Sequence, residues 1–135
     1  MRDPRPGLAW SSRRATRRAD YATWMASAAW QQRRRQWLAS WTARYGHPPT
    51  CQACAGPWNL HDGDLHHRSY ARLGHETDRD LVPLDRDCHQ RLHQILESNP
   101  AWGRLGRPQA TDLIIARLRH TASTRPDHED TNDRR

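Results

Sequence analysis

Six of the nine histidines and all three cysteines fall between Cys51 and His93, and the spacing of four of those histidines and of the cysteines is what metal chemistry requires. His89 and His93 stand four apart in a stretch that reads as helix, so both imidazoles leave one face, separated by about 6 Å of rise. Two imidazoles so placed are a metal-ligand pair. His66 and His67 are adjacent in a stretch that reads as strand, where neighbours point to opposite sides. One of them can bind an ion while the other works on a water molecule. Cys51-Gln52-Ala53-Cys54 precedes this core and Cys88 lies just ahead of His89. That distribution fits a second, structural metal pinning the same short unit. A CxxC can also be redox-active, but no βαβ pattern surrounds this one, and a third Cys follows at ligand-like spacing.

Positioning these side chains requires a strand over about 64–69, a second over about 81–84 and a helix over about 86–97, a ββα unit. Asp62-Gly63-Asp64 reads as the turn into the first strand. The loop between the strands carries Tyr70, Arg72, Gly74, His75 and Glu76; His75 is the main rival for a metal role, with a surface position its blander reading. Trp58 and Leu60 are expected to pack under the cysteine turn. Upstream, 20–46 is rich in Ala, Gln, Arg and Trp and reads as two helical pieces, the second capped by Ser27 and ended by Gly46 with Pro48 and Pro49. Trp30, Trp37 and Trp41 fall close to helical spacing, the pattern of a packed face rather than of base stacking. Arg33-Arg34-Arg35 is a candidate for phosphate contact, or simply a solvated face. Downstream, Ser98-Asn99-Pro100 interrupts the helix, Trp102 and Leu105 are expected to return over the core, and a last helix over 108–120 puts Leu113, Ile114 and Leu118 on one side.

With 135 residues and 35% hydrophobic content, the chain supports one small domain, over 20–120, whose core needs help from metal. Residues 1–19 read as a disordered basic arm and 121–135 as a disordered tail. The net charge is +7, and all 22 basic residues are Arg. Arg forks match phosphate bidentately and stack on bases, so the balance favours a nucleic-acid partner. Codon bias explains the choice of Arg over Lys but not the excess of charge. An odd cysteine count inside one motif gives no disulfide framework, which points to a reducing, cytoplasmic setting. No segment has the apolar length of a signal peptide or a membrane span.

The stretch from Cys51 to His93 resembles an HNH endonuclease domain of the zinc-supported kind. That family's pattern runs CxxC, a His-His or Asp-His pair, an Asn or Asp before a strand, then CxxCH with a further His one turn on. By that resemblance the fold is α+β, a ββα-metal core (51–97) with a structural zinc site, flanked by N-terminal and C-terminal helices. His66, His89 and His93 would hold a catalytic divalent cation, Mg2+, Mn2+, Ni2+ or Zn2+. His67 would be the general base, oriented by a backbone carbonyl of the 70–80 loop. Asp80 falls where the family's Asn stands and would share in catalysis by ordering that loop.

The chain departs from the pattern at Asp85-Arg86-Asp87-Cys88, where a carboxylate replaces a thiolate, so structural zinc would be held by Cys51, Cys54, Asp85 and Cys88. Zinc accepts carboxylate oxygen at about 2.0–2.2 Å, although such a site binds less tightly than four sulfurs. What the resemblance implies is hydrolysis of phosphodiester bonds in DNA, by a monomer that nicks or a homodimer that cuts both strands. The alternative is a non-catalytic, zinc-stabilised nucleic-acid-binding module.

Overall fold

The computed structural model describes residues 18–124 of the 135-residue chain. The expected basic arm and tail therefore lie outside the described residues, apart from their inner ends. Those ends, 18–19 and 121–124, are helical. The described chain runs α1 (18–25), α2 (Ala28–Tyr45), β1 (Gly63–His67), β2 (Leu81–Asp85), α3 (Arg86–Ser98), α4 (Pro100–Leu105) and α5 (Arg107–Thr124). It is a mixed fold of five helices and one two-stranded antiparallel sheet.

Ser27 separates the first two helices as its position predicts. Its Oγ accepts from the Trp30 N–H at 3.1 Å and donates to the Trp24 carbonyl at 2.6 Å, so one hydroxyl ends α1 and starts α2. Gly46 closes α2 in the left-handed conformation, φ 70°, which Gly adopts without strain. Asn99 caps α4 with Pro100 in its first turn, so the interruption after Ser98 begins a new short helix.

The two strands pair Gly63 with Asp85 at one end and His67 with Leu81 at the other. Alternation along them divides the molecule. Leu65 and Leu81 join Trp30, Trp37 and Trp58 in a buried cluster against α2. Val82 and Leu84 join Cys51, Ala53, Cys88, Leu92, Ile114 and Ile115 in a second cluster against α3 and α5. The sheet is thus a two-sided partition, with both strands largely buried on both faces.

Several expected placements differ. Trp58 packs with Trp37, not under the cysteines, and its Nε1 donates to the Asp64 carbonyl at 2.9 Å. The turn lies at Asn59–Asp62, where the Asn59 side-chain oxygen accepts from two backbone N–H groups. Gly63 already belongs to β1, and a Cβ there would lie 2.2 Å from the Trp58 indole nitrogen. Leu105 and Leu113 are exposed, while α5 buries Ala110, Thr111, Ile114 and Ile115. That row is the true helical face; Leu113 lies off it. Arg33 and Arg34 are engaged within the fold. Arg33 holds the Glu76 carbonyl at 3.0 Å and the Asp78 carboxylate at 2.7 Å, and Arg34 holds the Leu60 and Gly63 carbonyls at 2.7 and 2.9 Å.

Candidate metal centre

His66 stands on the α3 side of β1, and α3 carries His89 and His93 one turn apart on the face that meets it. His66 Nδ1 is 3.2 Å from His89 Nε2, which is 3.0 Å from His93 Nε2. Two nitrogens each about 2.0–2.1 Å from one ion stand about 2.8–3.4 Å apart at octahedral or tetrahedral angles. The outer nitrogens are fixed as well. His89 Nδ1 meets Asp64 Oδ2 at 2.9 Å, and His66 Nε2 meets Thr111 Oγ1 at 3.0 Å.

An ionised carboxylate only accepts, so His89 carries its proton on Nδ1 and turns a lone pair inward. We assign the His66 proton to Nε2, donated to Thr111, which turns a second lone pair toward the first. Facing lone pairs at that separation repel unless a cation lies between them, so the donor set fits a shared divalent ion. Burial, then the nearby Arg107 guanidinium and the neighbouring imidazoles, push the His66 pKa down to about 2; burial and His89 lower that of His93. Both rings are held in the neutral form that ligates metal.

The second cluster gathers Cys51, Cys54, Asp85 and Cys88, with one potential ligand atom from each lying within 4.8 Å of the others. The loop that presents the first two is tight: Cys51 N–H donates to the Gly56 carbonyl at 2.8 Å, and Gly56 N–H points at Cys54 Sγ at 3.4 Å. Gln52 N–H donates to the Pro83 carbonyl at 3.0 Å, which fastens this loop to β2. Asp85 has two tasks. Its Oδ1 caps α3 through the Cys88 N–H at 2.7 Å, while Oδ2 lies 2.9 Å from Cys54 Sγ.

Burial and the Asp85 carboxylate raise the Cys54 thiol to about 11, and the same causes raise Cys88. Burial also works against the ionised form of Asp85, but hydrogen bonds from the Cys54 thiol and the Cys88 backbone outweigh it and hold its pKa below the usual range. A coordinated zinc reverses the thiol shifts, because a ligating thiol gives up its proton. Three sulfurs and one oxygen are a set that zinc accepts.

His67 points the other way. It is 2% exposed, stacked on Trp30 at 5.0 Å between ring centres, with Tyr21 and Tyr70 against it at 5.9 and 5.6 Å. The expected orienting carbonyl is replaced by a carboxylate. Glu76 Oε2 lies 3.5 Å from His67 Nε2, a long contact that leaves this nitrogen without a hydrogen bond of normal length. Glu76 is itself buried and held by the Trp24 indole N–H at 3.3 Å and the Gly74 N–H. Burial lowers the His67 pKa, and Glu76 partly offsets the fall. Tyr21 and Tyr70 also line a cleft of about 640 Å³ with Arg18, Asp20, Ala71 and Leu73.

Asp80 organises the interstrand loop. Its Oδ2 accepts from Thr77 N–H at 2.9 Å and Thr77 hydroxyl at 3.1 Å, and Arg72 pairs with both carboxylate oxygens. Arg72, then Thr77, hold its pKa down at about 2 against the effect of burial. Asp80 touches none of the three metal-facing imidazoles in these contacts. His75 is exposed and belongs to neither cluster.

Sequence reasoning missed four residues here. Asp64 had a signal, since it stands two before His66 and so shares its side of the strand. Glu76 lay in a loop whose path only the fold reveals. Thr111 and Arg107 arrive from α5, more than forty residues along the chain from His66. Compared with protein-family models, curated proteins and solved structures, the chain matches none. Its described residues bring together two groups of side chains able to hold a metal ion, Cys51, Cys54, Asp85 and Cys88 in one and His66, His89 and His93 in the other.

Proposed function

We propose that the protein is an HNH-type endonuclease that hydrolyses phosphodiester bonds in DNA. His66, His89 and His93 are the ligands of its catalytic cation, and Cys51, Cys54, Asp85 and Cys88 hold structural zinc. The observation that carries this reading is the convergence of three ring nitrogens at 3.0–3.2 Å, two of them with their outer nitrogens engaged, one residue away from a second, carboxylate-backed histidine. The surplus of Arg supports a polyanionic partner.

A divalent cation at the three imidazoles supplies stabilisation of the charge that develops on the scissile phosphate and on the leaving 3′ oxygen. His67 takes the proton of the attacking water as its oxygen bonds to phosphorus. The bond from phosphorus to the 3′ oxygen breaks, and solvent protonates that oxygen, leaving a 5′-phosphate and a 3′-hydroxyl. A base of this kind contributes on the order of 100- to 10,000-fold. Glu76 faces the imidazolium that forms and stabilises it. Asp80 is a positioning residue, keeping the loop that carries Glu76 closed through Thr77 and Arg72.

One observation favours a second reading, the non-catalytic zinc-stabilised binding module. His67 is as buried as a core residue and is stacked on Trp30, so water must enter beside Tyr21 and Tyr70 to reach it. Plasmid cleavage with Mg2+, Mn2+ or Ni2+ separates the readings when it is run beside a His67→Ala variant that retains its zinc. Nicked or linear product that disappears in the variant supports the nuclease. No product with any ion, on plasmid, single-stranded DNA or RNA, together with equal binding by both proteins, supports the module.

A further inference from the structure

Arg107 is the first residue of α5 and lies on the same helix face as Thr111, the residue that holds His66. Its Nε donates to the backbone carbonyl of His67 at 2.7 Å, and its guanidinium carbon sits 4.1 Å from the centre of the Tyr70 ring. These contacts use one N–H and one face of the group, and the Tyr70 side chain also acts on it as a hydrogen-bond partner. Among the described residues no carboxylate lies within ion-pair distance of it, whereas Arg33, Arg68 and Arg72 each have an Asp partner.

A half-buried guanidinium without a counter-charge is costly to keep, and burial lowers its pKa. Its position joins both faces of β1: it donates to the carbonyl of His67 and stands one helical turn before Thr111, which holds His66. As an anchor for α5 alone, a neutral donor to the His67 carbonyl would serve without that penalty. A role in receiving an anionic group explains the charge better.

We infer that Arg107 is a phosphate-binding residue, whose free guanidinium edge receives the non-bridging oxygens of the phosphodiester lying over the three-histidine cluster. The inference rests on the nuclease reading for the identity of that phosphodiester, but binding can be measured without cleavage. A planar guanidinium suits this task because it offers two parallel N–H donors to one phosphate, whereas an ammonium acts only as a point charge. The Tyr70 ring beneath it fixes the plane of the fork and shields one face from water.

The test uses the full chain with its zinc retained, in wild-type, Arg107→Lys and Arg107→Gln forms. Binding to a fluorescent DNA duplex is followed by anisotropy in EDTA-free buffer with Ca2+ over a range of salt, and cleavage is followed with Mn2+. A Co2+ absorption spectrum of each protein reports whether the histidine cluster is intact. Expected for Arg107→Gln are a Kd weakened about tenfold, a salt slope reduced by about 0.7–0.9, the loss of one phosphate contact, and cleavage reduced by about 100-fold or more. Arg107→Lys should retain the salt slope while losing part of the rate.

A Gln variant with unchanged salt slope and unchanged cleavage overturns the inference while leaving the nuclease standing. A lowered melting temperature and a disturbed Co2+ spectrum, with the salt slope unaltered, also overturn it, because they identify Arg107 as an anchor only. If the wild-type protein cleaves nothing but binds with a salt slope that Arg107→Gln reduces, the phosphate site stands and the nuclease reading fails.

Discussion

The two clusters share one short strand pair and the helix that follows it, and are built on opposite principles. The cysteine cluster has four donors from a tight loop and the start of α3, with Cys51 and Cys88 buried and Asp85 supplying the fourth atom. Four protein ligands leave a zinc ion no open position, which is the mark of a structural site. The histidine cluster has three donors from β1 and α3, and its partly exposed His89 and His93 leave one side uncovered. Three ligands with room beside them are the mark of a site that takes substrate. Adjacent residues Cys88 and His89 belong one to each cluster, so α3 couples them. The contrast supports the proposed reading, in which one metal would build, in a chain too small for a large core, the platform on which another acts.

The largest effect should come from breaking each cluster separately. On the proposed reading Cys88→Ala removes a zinc ligand, and because binding energy at such sites is folding energy, on the order of 10 kcal/mol, the described domain should lose its cooperative melting transition. His93→Ala should melt within a few degrees of wild type, keep one zinc per chain and lose cleavage. Calorimetry with metal analysis reads both outcomes; equal melting of the two variants would erase the distinction.

A smaller effect sharpens the open site. Asp64 fixes the His89 tautomer at 2.9 Å, and removing such a partner costs about 10- to 100-fold in metal affinity. Asp64→Asn should show that loss in a Mn2+ or Co2+ titration of the zinc-loaded protein without losing its structural zinc. An unchanged affinity would mean that the carboxylate does not tune the ligand.

Acid should act through the histidine side. His66, His67 and His93 have folded-state pKa values below the ordinary 6.5, so the folded protein binds fewer protons than the unfolded chain once the pH drops under that value. Stability is therefore full above about 6.5 and falls as the pH is lowered, each of the buried rings of His66 and His67 contributing up to about 1.4 kcal/mol per pH unit. Urea midpoints measured from pH 7.5 to 5.5 should decline; a flat profile would contradict the buried neutral rings.

The smallest effect tests the carboxylate in the cysteine cluster. Asp85→Cys should tighten zinc binding by supplying a fourth thiolate. It should also lower the stability of the zinc-free protein by about 1 kcal/mol, because a thiol does not replace the side-chain cap on Cys88 N–H. Competition with a chromophoric chelator and melting of the apoprotein measure the two opposed changes.

The clusters differ as well in how far the sequence revealed them. Local spacing identified the pairs Cys51 with Cys54 and His89 with His93, since two residues in one turn meet whatever the rest of the fold does. Alternation correctly separated His66 from His67 and, applied two residues earlier, would have found Asp64. What the sequence did not reveal was delivered by distant elements. Thr111 and Arg107 reach the site because α5 packs its Ala110–Ile115 face against α3 and β2, an arrangement without local signature. Arg33 and Arg34 show the converse: two members of a charged run that read as a solvated face or a phosphate contact hold the Glu76 loop and the turn before β1.

The central claim is that the histidine cluster, not the cysteine cluster, carries the chemistry. It is tested most directly by giving supercoiled DNA to protein already holding one zinc per chain and titrating in Mn2+, for wild type and for His93→Ala. The account predicts cleavage that appears only with the added ion in the wild type and at no Mn2+ concentration in the variant, with the zinc content unchanged in both. Cleavage by the one-zinc protein before Mn2+ is added, or equal cleavage by His93→Ala, would contradict it.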